Sequence, residues 1–160
     1  MQITRKTLAF LLALPFAGSV VVAETVHTPF NGRNLDNWEV KKQKQGSKWM
    51  VKTPKMSEKN PKTFDVSDGE PAMVNLVTGH RQSVDIYTKD KYGSCLIEVE
   101  LMVPKGANSG VYVMGEYEVQ VLDSYGKKKL GGGDMGAIYG AAPPAANGCR
   151  EPGEWQKYVI

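Results

Sequence analysis

From residue 73 onward the chain breaks into short apolar runs split by turn residues: "AMVNLVTG", "SVDIYTKDKYG", "CLIEVELMVPKG", "GVYVMG" and "YEVQVLDSYG". Beyond residue 23 no segment keeps apolar residues at helical spacing for three turns, whereas these runs alternate with a period of two. An all-β chain is therefore expected. Upstream, "TPFNGRNLDNWEV" combines an Asn-Gly turn with two aromatics and predicts a tight turn carrying Phe30 and Trp38 into one core. Residues 41–72 are rich in Lys, Ser, Pro and Asn, so only Trp49-Met50-Val51 reads as a strand there and the rest as loop. With no solenoid-length repeat and no linker, 160 residues of which 41% are hydrophobic and 9% aromatic fit a single core.

Alternation assigns faces. In the run from Cys95 to Val103, Ile97, Val99, Leu101 and Val103 share one side and Glu98 and Glu100 the other. In the run from Tyr117 to Leu122, Tyr117, Val119 and Val121 oppose Glu118, Gln120 and Leu122. "PKGANSG" lies before the second hairpin arm and supplies Gly and Asn for a tight return, so the runs on either side of it are expected to be antiparallel neighbours. Glu98, Glu100, Glu118 and Gln120 would then share one surface of a two-layer sandwich. Like charges on adjacent strands repel unless water, a cation or a polar ligand compensates them. That pattern suits a binding face, and it equally suits the wet side of an ordinary antiparallel sheet.

The formal charge is +3, and Arg5 and Lys6 near the start account for two of those positives, leaving +1 for the remainder. No nucleic-acid partner is implied. The basic stretch from Lys41 to Lys62 is interleaved with Gln, Ser, Thr, Asn and Pro and reads as solvated loop. Residues 1–23, "MQITRKTLAFLLALPFAGSVVVA", have a positive start, an apolar run too short to span a bilayer and small residues before Glu24. They read as a secretory signal peptide cut after Ala23, leaving a domain at 24–160 that is secreted or periplasmic and not membrane-bound. Cys95 and Cys149 are the two cysteines, and their pairing is left open by the sequence. His27 and His80 are not spaced with Cys or carboxylate as zinc ligands would be.

Five stretches occur in order: "FNGRNLDNW" at 30–38, "GANSGVYV" at 106–113, "YEVQVLDSYG" at 117–126, "GAIYGAAPP" at 136–144 and "GEWQKYVI" at 153–160. Together they resemble the 3-keto-disaccharide hydrolase domain family of exported bacterial proteins, across essentially the whole chain after the leader. The resemblance implies a concanavalin A-like jelly-roll β-sandwich with its ligands on the concave sheet. The family domain ordinarily continues past "GEWQKYVI" with a Gln-x-His-Gly segment, so a jelly roll incomplete at the C-terminus is expected. By that resemblance Glu118, Gln120 and Asp123 belong to the sugar-binding face, with Asn108 and Ser109 in the loop before it.

The implied activity is cleavage of a glycoside whose C3 hydroxyl a separate sugar 3-oxidoreductase has already oxidised. The ketone acidifies the C2 proton, so a base removes it, the C1 substituent departs by elimination, and water adds back. Glu118 or Asp123 is the expected base, and Gln120, Asn108 and Ser109 hydrogen-bond the sugar. A divalent metal such as calcium would suit an oxygen-rich face. Tyr112, Tyr125 and Tyr139 lie in or beside the motifs and can stack on a pyranose or fill the core, while Trp38 and Trp155 read as core. Asp134, after three glycines, reads as a turn residue or a loop ligand. The competing reading is a non-catalytic, lectin-like carbohydrate-binding domain on the same face.

Overall fold

The structure is a computed structural model that describes residues 25–41, 46–77, 79 and 82–160. The leader at 1–23, the residue that follows it and His80 lie outside the described residues. Eight strands run β1 (Trp38–Val40), β2 (Trp49–Met56), β3 (Phe64–Asn75), β4 (Ile86–Thr88), β5 (Glu98–Leu101), β6 (Asn108–Val113), β7 (Tyr117–Leu122) and β8 (Gln156–Val159). The ladders pair β1 with β4, β2 with β3, β5 with β8 and β6 with β7, all antiparallel. The described residues contain strands and no helix, so the chain is an all-β sandwich.

The strands β2 and β3 overturn the loop reading of 52–56 and 64–72. Lys and Pro look like strand breakers, but in a two-stranded ribbon each strand is an edge, where an outward-facing N–H can be given up without losing a ladder bond. The irregularity is confined to one bulge. Lys52 pairs with Ala72 and Thr53 with Ser67, so residues 68–71 of β3 loop out. Gly69 there has φ 150, and a Cβ on it would sit 2.9 Å from Thr53 Oγ1. Thr53 Oγ1 donates to the Glu70 carbonyl at 2.6 Å, and Lys52 Nζ meets Asp68 Oδ1 at 2.6 Å.

The pairing expected between β5 and β6 does not occur. Here β5 pairs with β8, matching Val99 to Tyr158 and Leu101 to Gln156. The segment "PKGANSG" therefore carries the chain from one layer to the other and does not close a hairpin. Leu101 and Tyr158 of the first layer pack with Val111 of the second around Val103, Val121, Met135 and Cys149, which form the buried core. Glu98 and Glu100 sit on the far side of β5 from Leu101, with Glu98 paired to Lys157 Nζ at 2.8 Å. They do not join Glu118. Alternation within each strand holds; the neighbour assumed for β5 does not.

Cys149 lies in that core with its Sγ near the Leu122 and Arg150 carbonyls, at 3.7 Å and 3.4 Å, and burial raises its thiol pKa. Cys95 is exposed, and both cysteines are free. Trp155, read from sequence as core, is 46% exposed, whereas Trp38 is half-buried. The Asn31-Gly32 turn forms as expected: Asn31 Oδ1 accepts the N–H groups of Arg33 and Asn34, at 2.8 Å and 3.0 Å, with Gly32 at φ 72.

Candidate active site

The β6–β7 hairpin sorts its residues cleanly. Its register pairs Asn108 with Leu122, Gly110 with Gln120 and Tyr112 with Glu118 on one face, and Ser109 with Val121 and Val111 with Val119 on the other. The second face supplies Val111 and Val121 to the core, so the polar first face points away from it. The hairpin is closed by Met114 and Gly115, both at positive φ (56 and 71), with Glu116 N bonded to the Val113 carbonyl at 3.2 Å.

On the polar face two side chains converge on Glu118. The Tyr112 hydroxyl donates to Glu118 Oε2 at 2.7 Å. The end of the Gln120 amide facing Glu118 lies 3.2 Å from Oε1 and 3.3 Å from the Ser109 carbonyl. Both of those atoms are acceptors, so the amide nitrogen belongs there and donates to each. The other end of the amide, Gln120 Oε1, then accepts from the Asn108 amide, whose nitrogen is turned toward it at 3.0 Å. Gln120 is 2% exposed, and its burial is affordable only because its amide is bonded at both ends. Glu118 is half-buried, with one donor on each oxygen fixing its plane. Its carboxylate is the negative charge against which the Tyr112 phenol must ionise, and that hydrogen bond pushes the phenol pKa up to about 12.

Gly110 is the floor under this group. A Cβ there would stand 2.6 Å from Glu118 Cγ and 2.7 Å from Cδ, and would collide with Oε1. The carboxylate lies flat across the strand because position 110 has no side chain. Nothing in the sequence flags this glycine, whose φ is not in the left-handed region; only the cross-strand register to Gln120 and the diagonal to Glu118 show what it does.

A third backbone segment lines the outer edge of β7. Gln120 N bonds to the Ala137 carbonyl, Gly136 N to the Gln120 carbonyl and Tyr139 N to the Glu118 carbonyl, each at 2.9 Å, and Val119 bridges Ile138. Because Ile138 pairs with Val119, Tyr139, the next residue, falls on the same side as Glu118. Both Tyr112 and Tyr139 are exposed.

The remaining expected residues are placed differently. Ser109 alternates to the other face, so what it offers the site is its carbonyl. Both oxygens of Asp123 accept backbone N–H groups, from Gly106 at 2.9 Å and Tyr125 at 3.3 Å, while its own N–H bonds to the Ala107 carbonyl at 3.0 Å. That arrangement ties the 104–107 turn to the end of the hairpin. Tyr125 is exposed beyond it. Among the described residues no group of three or more His, Cys, Asp or Glu could hold a metal ion. With the Glu118 oxygens held by protein donors and those of Asp123 by backbone N–H groups, the donor set does not fit a calcium ion.

Compared with known families, residues 26–160 match the 3-keto-alpha-glucoside-1,2-lyase-like domain. No curated protein and no solved structure matches the chain.

Proposed function

Because the chain belongs to the 3-keto-alpha-glucoside-1,2-lyase-like family, we propose that it cleaves 3-keto glycosides with Glu118 as the base. The observation that carries the reading is the oriented carboxylate itself: half-buried, held on Oε1 by Gln120 and on Oε2 by Tyr112, on a face turned away from the core. Glu118 takes the C2 proton, and the C2–H electron pair becomes the enolate conjugated with C3. The enolate collapses to a C1–C2 double bond as the C1–O bond breaks, and the departing alkoxide takes a proton. Water then adds its oxygen to C1 and a proton returns to C2, so the net reaction is hydrolysis. Tyr112 and the Gln120 amide orient the base; Asn108 fixes the Gln120 amide; Tyr139 and Tyr112 offer ring faces to a pyranose. Asp123, bound twice to backbone, is the weaker candidate for the base and serves the hairpin. The leader supports action outside the cytoplasm, on a sugar that a separate oxidoreductase has first converted to its 3-keto form.

The exposed Tyr112, Tyr125 and Tyr139 support a second reading, a non-catalytic carbohydrate-binding domain. Turnover of a matched pair of substrates separates the two. The proposal expects a 3-keto glycoside to be cleaved, its unoxidised counterpart to be nearly inert, and Glu118→Gln to lose roughly a hundredfold in kcat while retaining binding. Binding without cleavage of either sugar would favour the lectin-like reading, and faster cleavage of the unoxidised glycoside would favour a two-carboxylate glycosidase.

A further inference from the structure

Asp134 is 1% exposed and takes no part in the chemistry above, yet its carboxylate is the most heavily bonded in the described chain. Lys127 Nζ donates to Oδ1 and Oδ2 at 2.7 Å and 2.8 Å, the Gly131 N–H to Oδ2 at 2.7 Å, and the Ser124 hydroxyl to Oδ1 at 3.1 Å. Ser124 Oγ in turn accepts the Met135 N–H at 3.0 Å. Lys127 and Gly131 hold the carboxyl below its ordinary range, as expected for an ionised group saturated with donors. A carboxylate with so little solvent access is costly unless fully paired, so the knot holds a defined piece of backbone in place.

What it fixes is the segment beside the base. The Asp134 carbonyl accepts the Ala137 N–H at 2.9 Å, closing a tight turn through Gly136 at φ 81. That turn and the residues after it make the three hydrogen bonds to the Gln120 and Glu118 backbones, and a Cβ added at Gly133 would lie 3.7 Å from the Tyr139 ring. Without this segment the outer edge of β7 has no backbone partner among the described residues.

We propose that Asp134, through its ion pair with Lys127, is a positioning residue that clamps the 136–139 segment onto β7 and thereby holds Glu118, Gln120 and Tyr139 in register. Its catalytic consequence rests on the reading of Glu118 as base; its structural consequence does not. Amide hydrogen exchange tests the clamp without any substrate, using Lys127→Met, which removes the cation from a half-exposed site, and Asp134→Asn as the deeper perturbation.

The expected result for Lys127→Met is faster exchange at the Gln120 and Tyr139 amides by about tenfold or more, the value of one lost charge-assisted bond, with the β2–β3 amides unchanged. Lys127→Arg keeps the cation and should stay within about threefold of wild type. On a 3-keto glycoside, Lys127→Met should lower kcat by about tenfold with KM held, since a base displaced by a fraction of an ångström loses rate before it loses sugar contacts. Unchanged exchange at Gln120 and Tyr139 would overturn the proposal. So would acceleration of the β2–β3 amides in parallel, which would make Asp134 a general stability residue, or a Lys127→Arg protein as fast as Lys127→Met. A wild-type protein inert on 3-keto sugars would remove the role assigned to Glu118 and leave the exchange result to judge the clamp alone.

Discussion

Gly110→Ala is the sharpest single perturbation of the site, because it adds one methyl group at a place where Glu118 already lies. The new Cβ would be 2.6 Å and 2.7 Å from Glu118 Cγ and Cδ, and would overlap Oε1. Carbon atoms in contact prefer roughly 3.5–4.0 Å, so the carboxylate must retreat by about 1 Å or more. Rotating it away breaks its bonds to Gln120 and Tyr112 together. Each is a hydrogen bond to a charged group, worth about 1.5–3 kcal/mol in a fixed geometry, but the freed carboxylate can move into water and recover most of that. Alanine also suits a strand better than glycine by roughly 0.5–1 kcal/mol. The net stability change should therefore be small, within about 1 kcal/mol. Activity has no such compensation: a base misplaced by about 1 Å loses roughly a hundredfold in rate. The assay pairs a thermal melt with turnover of a 3-keto glycoside, and Gly93→Ala, where nothing lies within 4 Å of the added methyl, is the control. Full turnover in Gly110→Ala would show that the carboxylate's resting place across position 110 is irrelevant to its work. A melting point that falls in proportion to the activity would show the effect to be unfolding.

The hairpin tip offers a change in the opposite direction. Met114 holds φ 56 while exposed to solvent, so Met114→Gly should stabilise the protein by about 1 kcal/mol, seen as a higher denaturant midpoint with unchanged slope. The Asp134 knot gives an acid limb. A carboxyl whose folded pKa is depressed contributes stability that is present above its ordinary value near 3.8 and is lost as pH falls through the folded value; Asp134→Asn should flatten that limb in melts below pH 4. Spectrophotometric titration should find two tyrosines, Tyr112 and Tyr158, ionising near 12, the first held by Glu118 and the second by burial; Glu118→Gln should return only the first toward its normal range. Expression in a secreting host should yield a protein whose mass begins at Glu24, and an intact leader would contradict the export reading.

Much of the site was legible because a β-hairpin converts sequence parity directly into geometry. Glu118 and Gln120 stand two apart and share a face, and "NSG" before them returns a strand with Asn108 and Tyr112 on that face. Parity also demotes Ser109 to a backbone contact, which a motif match alone would not reveal. What stayed hidden is non-local. The partner of β5 is β8, more than fifty residues away, and no local pattern distinguishes that choice from pairing across "PKGANSG". The β2–β3 ribbon was hidden by its own composition, since Lys, Pro and Asp-Gly mark loops in general and mark edge strands when each strand has only one partner. Asp134 looked like a turn residue after three glycines, and it is one. Its second role becomes visible only when Ser124 and Lys127, ten and seven residues upstream, are found to converge on its carboxylate.

The central claim is that Glu118 removes the proton from C2 of a 3-keto sugar. Running the reaction in deuterium oxide tests that step most directly. If the claim holds, wild type places solvent deuterium at C2 of the sugar product faster than a buffer control exchanges it, and Glu118→Gln does so no faster than buffer. Cleavage that leaves the original C2 hydrogen in place would contradict it, because the bond the mechanism must break would never have been broken.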